Sequence, residues 1–182
     1  MNRKLKNADL QRSSIDEYKL QDKFPVKVVL DDIRSLANVG SVFRTSDAFR
    51  VEEILLCGIT GRPPHRDIQR TALGATESVS WTYEEDACEA LMALKALGYK
   101  VIAVEQCERS VNPARFKLNP SDKLAVVFGN EVEGVRQSII DLADEVFEIP
   151  QSGTKHSLNV TVAAGIVLWE LYCNFEAMHS AE

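Results

Sequence analysis

The sequence predicts one α/β domain with a mostly parallel six-stranded sheet and helices on both faces. Two observations carry this. Short apolar runs of strand length alternate with longer helical stretches along nearly the whole chain, the signature of strands joined by crossover helices that cover the sheet. The 182 residues, 45% hydrophobic and 26% charged, suffice for a single core without disulfide or metal staples.

In chain order, residues 1–24 are polar and mixed in charge, an appendage that is either a short helix or disordered, and the core domain is expected over 25–182. Six runs rich in β-branched or aromatic residues, 26–30, 54–57, 79–83, 101–104, 124–129 and 146–149, read as strands. The intervening stretches 38–49, 66–73, 85–97, 134–142 and 158–174 read as helices. Residues 58–64 form a loop, because Gly61, Pro63 and Pro64 suit neither a helix nor a central strand, and Asp122 marks the turn before 124–129. The last helix leaves almost no polar face, so it is expected to be buried on every side, either as a core helix or partly against a second copy of the chain.

No apolar run approaches the roughly 18 residues of a membrane span, and the first twenty residues hold no signal-peptide core, so a soluble cytoplasmic protein is expected. Cys57, Cys88, Cys107 and Cys173 lack any C-x-x-C pairing and read as reduced core thiols. His65, His156 and His179 show no metal-ligand spacing, so no metal is expected. A net charge of −6 does not advertise a nucleic-acid binder, but residues 1–27 carry seven basic and four acidic side chains, a net of +3, leaving −9 on the rest.

Three polar segments stand at expected strand ends, where open α/β sheets bind ligands. The first runs from Asp31 to Arg44; Asn38 suits a helix N-cap and Arg44 lies nearly two turns on, beside Ser41 or on a packed flank. Spacing alone leaves a solvent-facing capped helix start equally open. The second, Phe128 to Gly134, brackets Glu131 between Gly129 and Gly134, so the backbone can come close to a ligand. It is neither a dinucleotide fingerprint nor a Walker loop. The third, Ile149 to Gly165, follows a strand with a flexible polar loop, and Ser157 or Asn159 caps the last helix. Separately, Arg62, Arg66 and Arg70 stand against one aspartate within residues 61–70, either a solvated loop or a contact for RNA phosphates.

Together the three segments resemble the three motifs of the SpoU family of RNA ribose 2′-O-methyltransferases, in the SPOUT superfamily. Asn38-x-Gly40-Ser41-x-Phe43-Arg44 is similar to the first motif, Gly129-x-Glu131-x-x-Gly134 to the second, and Ile149-Pro150 through Ser157-Leu158-Asn159-Val160 to the third, over roughly residues 26–175. The resemblance implies S-adenosylmethionine as methyl donor, a tRNA or rRNA substrate, a homodimer and a C-terminal deep trefoil knot, an exception to the rule of unknotted connections. It places Val104, Glu105, Gly129, Ile149 and Leu158 at the donor, and Arg44 with Asn38, Glu131, Ser157 and Asn159 at the chemistry. The family account often makes the arginine a base. A guanidinium stays protonated at ordinary pH, so Arg44 is expected to hold the neighbouring phosphate and orient the hydroxyl, with phosphate or water taking the proton. Arg50 departs from the pattern, since many relatives have glycine there, and is expected to add positive charge near the site. Residues 1–27, the arginine loop and the facing subunit are the expected RNA grip. Two other functions compete: a non-catalytic RNA- or nucleotide-binding module retaining the fold, and a small-molecule enzyme using a nicotinamide cofactor. The missing glycine spacing opposes the latter.

Overall fold

A computed structural model describes residues 2–6, 9–10 and 12–179. The expected division at residue 25 thus takes in positions outside the described residues: 1, 7, 8 and 11 before it, and 180–182 after it. The strands are β1 (Phe24–Asp31), β2 (Val51–Cys57), β3 (Trp81–Glu84), β4 (Tyr99–Val104), β5 (Lys123–Phe128) and β6 (Glu145–Phe147). They form one sheet in the order β3-β2-β1-β5-β4-β6. Every pairing is parallel, stricter than the mostly parallel sheet expected.

Parallel strands buried on both faces need apolar residues at successive positions, and β1 supplies them. Val28 and Leu30 face one core and Val29 the other. On the first face pack α1 (Ile15–Leu20), α2 (Leu36–Ala48), α3 (Arg66–Ala72), α4 (Ala75–Ser78) and α7 (Val160–His179); on the second, α5 (Ala87–Ala96) and α6 (Gln137–Leu142). Within the segment expected to be an appendage, Ile15–Leu20 form the short helix α1. It carries a capping box between Ser14 and Glu17 and sinks Tyr18 into the first core.

Several boundaries differ from the expectation for local reasons. Helix α2 starts before Asn38, because the Ser35 side chain accepts from the Asn38 N–H and is the cap. The run expected as a strand from 79 begins only at Trp81, because Val79 closes α4. Helix α6 loses its expected first turn, since Gly134 has φ 70° and ends a loop instead.

Three expectations need correction. Helix α7 is not buried on every side: Ala164, Val167, Leu168 and Leu171 face the core, while Val162 is 49% and Trp169 52% exposed. At 20 residues it is also long and apolar enough to cross a membrane by length and composition, contrary to the reading that no run approaches this; its inner stripe packs on the sheet. Of the cysteines, only Cys57 is a buried core thiol; Cys88 and Cys107 are half-buried and Cys173 is exposed.

Candidate active site

Strand order reverses beside β1: the chain moves outward through β2 and β3, then returns on the other flank with β5 against β1. Crevices at the carboxyl ends of strands on either side of such a reversal are where α/β sheets bind ligands. The three polar segments leave the carboxyl ends of β1, β5 and β6.

The segment after β1 is pinned from both sides. Thr60 Oγ1 donates to the Leu30 carbonyl at 2.9 Å and accepts from the Ile33 N–H at 2.9 Å. From the β5 side, Asn130 Nδ2 donates to the Asp32 carbonyl at 2.8 Å. The Glu131 carboxylate then accepts three bonds at the start of α2, from the N–H groups of Arg34 (2.9 Å) and Ser35 (3.1 Å) and from Asn38 Nδ2 (2.8 Å). Partial burial pushes this carboxyl up, but the bonds from Arg34, Asn38 and Ser35 outweigh it and hold Glu131 below the usual glutamate range. An anion so engaged at a helix N-terminus acts as a brace, not as a proton donor. Asn38 completes the link, since its Oδ1 accepts from Asn159 Nδ2 at 3.4 Å. Asn159 also caps α7, accepting from the Thr161 N–H at 2.8 Å. Segments 93 and 121 residues from Asn38 in sequence thus meet at its side chain.

The loop after β5 is closed on itself. The Gly134 N–H donates to the Asn130 carbonyl at 2.9 Å, and Asn130 Oδ1 accepts from Val132 (2.8 Å) and Glu133 (3.1 Å). A Cβ on Gly129 would overlap the Gly134 carbonyl, and one on Gly134 would overlap the Glu105 carboxylate. The close approach at Gly129 is therefore to the backbone of Gly134 and Val135, and that at Gly134 to the Glu105 side chain, while both glycines also line the cavity described next. Gly40 in the first motif likewise admits α3, because a Cβ there would overlap the Ile68 carbonyl and Thr71 Oγ1. Beyond the loop, Arg136 grips buried Asp31 with two bonds of 2.9 and 3.0 Å and reaches Asp86 at 3.5 Å. Burial raises the Asp31 carboxyl despite this partner, and Asp31 in turn raises Arg136, keeping it charged.

Between the loops after β4, β5 and β6 lies a cavity of about 640 Å³, within the range of small-molecule sites. All five residues expected at a donor, Val104, Glu105, Gly129, Ile149 and Leu158, line it, as do Glu131, Ser157 and Asn159. Its lining combines apolar side chains such as Phe128, Phe147 and Val160 with four carboxylates, Glu105, Glu131, Glu133 and Glu148, and among the described residues contains no lysine or arginine. Glu105 is already engaged, accepting from the Val135 N–H at 2.9 Å and the Gln106 N–H at 2.8 Å. This chemistry fits a nucleoside carrying a cationic sulfonium and disfavours a dinucleotide, whose phosphates would face carboxylates.

The remaining candidates lie elsewhere. Arg44 is exposed on α2, about 9 Å along the axis from Asn38, outside the cavity lining and without a side-chain partner among the described residues. Arg50 ends α2 in the left-handed region at φ 52°, and its carbonyl accepts from Phe24 at the start of β1. That is the amino edge of the sheet, opposite the cavity, which corrects its expected place near the site; its φ also accounts for glycine being at home there. Arg62, Arg66 and Arg70 are exposed. Arg62 lies over the Tyr83 ring at 4.2 Å, Arg70 pairs with Asp67 at 4.0 Å, and Gly61 packs against Leu36 at the start of α2, on the cavity's edge of the sheet. Sequence reading missed Asn130, Gln106 and the Asp31–Arg136 pair. Asn130 stood within the second motif and carried a turn signal; the other two are visible only in three dimensions.

Known proteins resemble this chain in sequence and fold. The model of the SpoU rRNA Methylase family matches residues 25–169. A 23S rRNA (guanosine-2′-O-)-methyltransferase of Neisseria meningitidis is 31% identical over 146 residues, 80% of this chain and 57% of its own. An uncharacterized tRNA/rRNA methyltransferase of Borreliella burgdorferi is 27% identical over 91% of this chain and 74% of its own. The chain spans under two thirds of the length of several such relatives. Among solved structures, the A. aeolicus TrmH/SpoU tRNA modifying enzyme superposes with a TM-score of 0.80 at 25% identity, covering 91% of this chain and 84% of that one. An AdoMet-bound rRNA methyltransferase from Sinorhizobium meliloti gives 0.75 at 28% identity, covering 88% and 60%.

Proposed function

Because the chain belongs to the SpoU rRNA methylase family, we propose that it transfers a methyl group from S-adenosylmethionine to a ribose 2′-hydroxyl of tRNA or rRNA. The observation that carries this reading is the relay Asn159 to Asn38 to Glu131, which joins three distant segments at the rim of a cavity lined by carboxylates and, among the described residues, by no lysine or arginine. When bound, S-adenosylmethionine supplies a methyl group on a sulfonium that leaves readily. The protein's task is then alignment and exclusion of water. Glu131 and Asn159 fix the Asn38 amide at the start of α2, while Glu105, Gly129, Ile149 and Leu158 form the donor walls, with Ser157 on the acceptor side. Arg44 holds the acceptor's phosphate, and the proton passes to phosphate or water.

A homodimer belongs to the same reading, supported by the half-exposed Val162 and Trp169 on α7 and by the position of Arg44 outside its own chain's cavity. So does the C-terminal trefoil knot implied by the family. The RNA grip is assigned to Arg62, Arg66 and Arg70 with the basic N-terminal segment. The relatives named as acting on rRNA and tRNA are bacterial enzymes, and a cytoplasmic site accords with such substrates.

The test compares Arg44→Ala and Arg44→Lys for methyl transfer and for donor binding by calorimetry, with NAD as the control ligand. Arg44→Ala is expected to lose about 100-fold or more in turnover with donor binding unchanged, and Arg44→Lys to lie between. Wild-type rates in both variants remove the role given to Arg44; binding of NAD in preference to S-adenosylmethionine removes the methyltransferase reading.

A further inference from the structure

The segment 150–158, which forms one side of the cavity, is exposed at every residue. It makes one hydrogen bond to the rest of the described residues: Gln106 Nε2 donates to the His156 carbonyl. Gln106 itself springs from a fixed point. Its N–H donates to Glu105 Oε1 at 2.8 Å, the other oxygen of Glu105 accepts from Val135 at 2.9 Å, and the Glu105 N–H donates to the Phe147 carbonyl at 3.0 Å. The dipeptide at the end of β4 therefore touches all three sides of the cavity: Glu105 clamps the β5 loop and the end of β6, and Gln106 reaches across to the segment after β6. Gln106 is exposed, so its side chain is not needed to fill the core.

We propose that Gln106 is a positioning residue whose amide latches the 150–158 segment closed over the cavity, setting how long a bound donor is retained; the identity of that donor as S-adenosylmethionine rests on the proposed function. Because the acceptor is a main-chain carbonyl, the latch needs a donor group at position 106 and no particular side chain at 156. A single neutral hydrogen bond, partly solvated, changes an opening equilibrium by about 3- to 10-fold. The segment moves against walls that stay in place, so its opening precedes donor exit and leaves the transfer geometry of the bound state unaltered.

Two variants test this on the full chain: Gln106→Ala, which removes the amide, and Gln106→Glu, which keeps its size but sets a carboxylate against the carbonyl. The first measurement is tryptic cleavage after Lys155 in donor-free protein, followed by mass spectrometry. Both variants are expected to be cut there about 3- to 10-fold faster than wild type, with cleavage elsewhere and the melting temperature unchanged. The second is the split between KM for S-adenosylmethionine, expected to rise about 3- to 10-fold, and kcat at saturating donor, expected to stay within about twofold. Unchanged cleavage at Lys155 overturns the latch, as does faster cleavage throughout the chain with a lowered melting temperature, which marks Gln106 as merely structural. Failure of the wild-type protein to bind S-adenosylmethionine defeats the proposed function instead, and the donor-free cleavage comparison still decides for or against the latch.

Discussion

The two loops that wall the cavity, 129–135 after β5 and 150–158 after β6, are built on opposite plans. The first is closed by its own hydrogen bonds, has its two glycines pressed together and is anchored at its end by Arg136 on buried Asp31. The second is exposed along its length and tied at one point. A cavity with one fixed and one releasable wall can hold a geometry precisely and still exchange its contents. Local stability is expected to differ accordingly, the first loop opening only with the core and the second opening on its own.

The largest effect that tests this contrast is Gly129→Ala. The added methyl overlaps backbone of Gly134 and Val135, which cannot swing aside like a side-chain tip. Overpacking of this kind costs about 2–3 kcal/mol, lowering Tm by roughly 4–12 °C for a chain of this size. A calorimetric melt showing no shift would mean that the β5 loop is not rigid and that the contrast fails.

Next is Arg136→Ala, which removes the partner of a carboxylate that is 1% exposed. Leaving such a charge uncompensated costs about 1–2 kcal/mol, less than a fully buried pair because Arg136 is partly in solvent. The pH dependence has a definite sign. Asp31 already has a raised carboxyl through burial, and loss of Arg136 raises it further. A folded-state value above the unfolded one opposes folding above the folded value and ceases to do so below the unfolded value. The deficit of Arg136→Ala relative to wild type is therefore expected to shrink as pH falls from the variant's Asp31 value to the wild-type one, both above the ordinary aspartate range, measured by urea unfolding across pH. A deficit independent of pH would trace the loss to packing of the guanidinium stem instead.

What could be read in the sequence divides along the same line as the loops. Alternating apolar runs revealed all six strands, because parallel strands covered on both faces must be apolar at consecutive positions, as Leu124 to Phe128 are. Most of the motif residues at strand ends meet at one cavity. The physical work of those residues was less legible. Gly129 and Gly134 announced a close approach but not what approaches, and Asn38 looked like a cap because the true cap, Ser35, differs from it only by three positions. Asp31 and Arg136, 105 residues apart, meet only through strand order, which no local pattern encodes. Helix α7 looked buried all round because Val162 and Trp169 are apolar, and apolarity does not distinguish a core position from an exposed one.

A smaller effect is expected from Glu131→Gln, which keeps the shape of the brace and removes its charge. Solvent exposure limits the loss to about 1 kcal/mol, yet Asn38 loses its strong acceptor, so methyl transfer is expected to fall by about 10-fold or more in a single-turnover assay. Glu131 is held below the usual glutamate range, so its stabilisation is present above the unfolded value and lost as pH falls through the folded one. The stability difference between wild type and Glu131→Gln is therefore expected to vanish in acid.

The smallest effect is the mirror of the first. Gly153 lies in the 150–158 segment with open space where a Cβ would stand, and its φ is outside the left-handed region. Gly153→Ala therefore meets no steric opposition, and by restricting the unfolded chain it is expected to leave stability unchanged or raise it by up to about 1 kcal/mol. One methyl group added to each wall of the same cavity is thus expected to shift Tm downward by several degrees at Gly129 and by no more than about 2–4 °C upward at Gly153. A pronounced fall for Gly153→Ala would show that this wall too is packed against something, which its single tether through Gln106 does not provide. Equal falls at both positions would erase the distinction between a fixed and a releasable wall, and with it the physical basis for exchange through the β6 side.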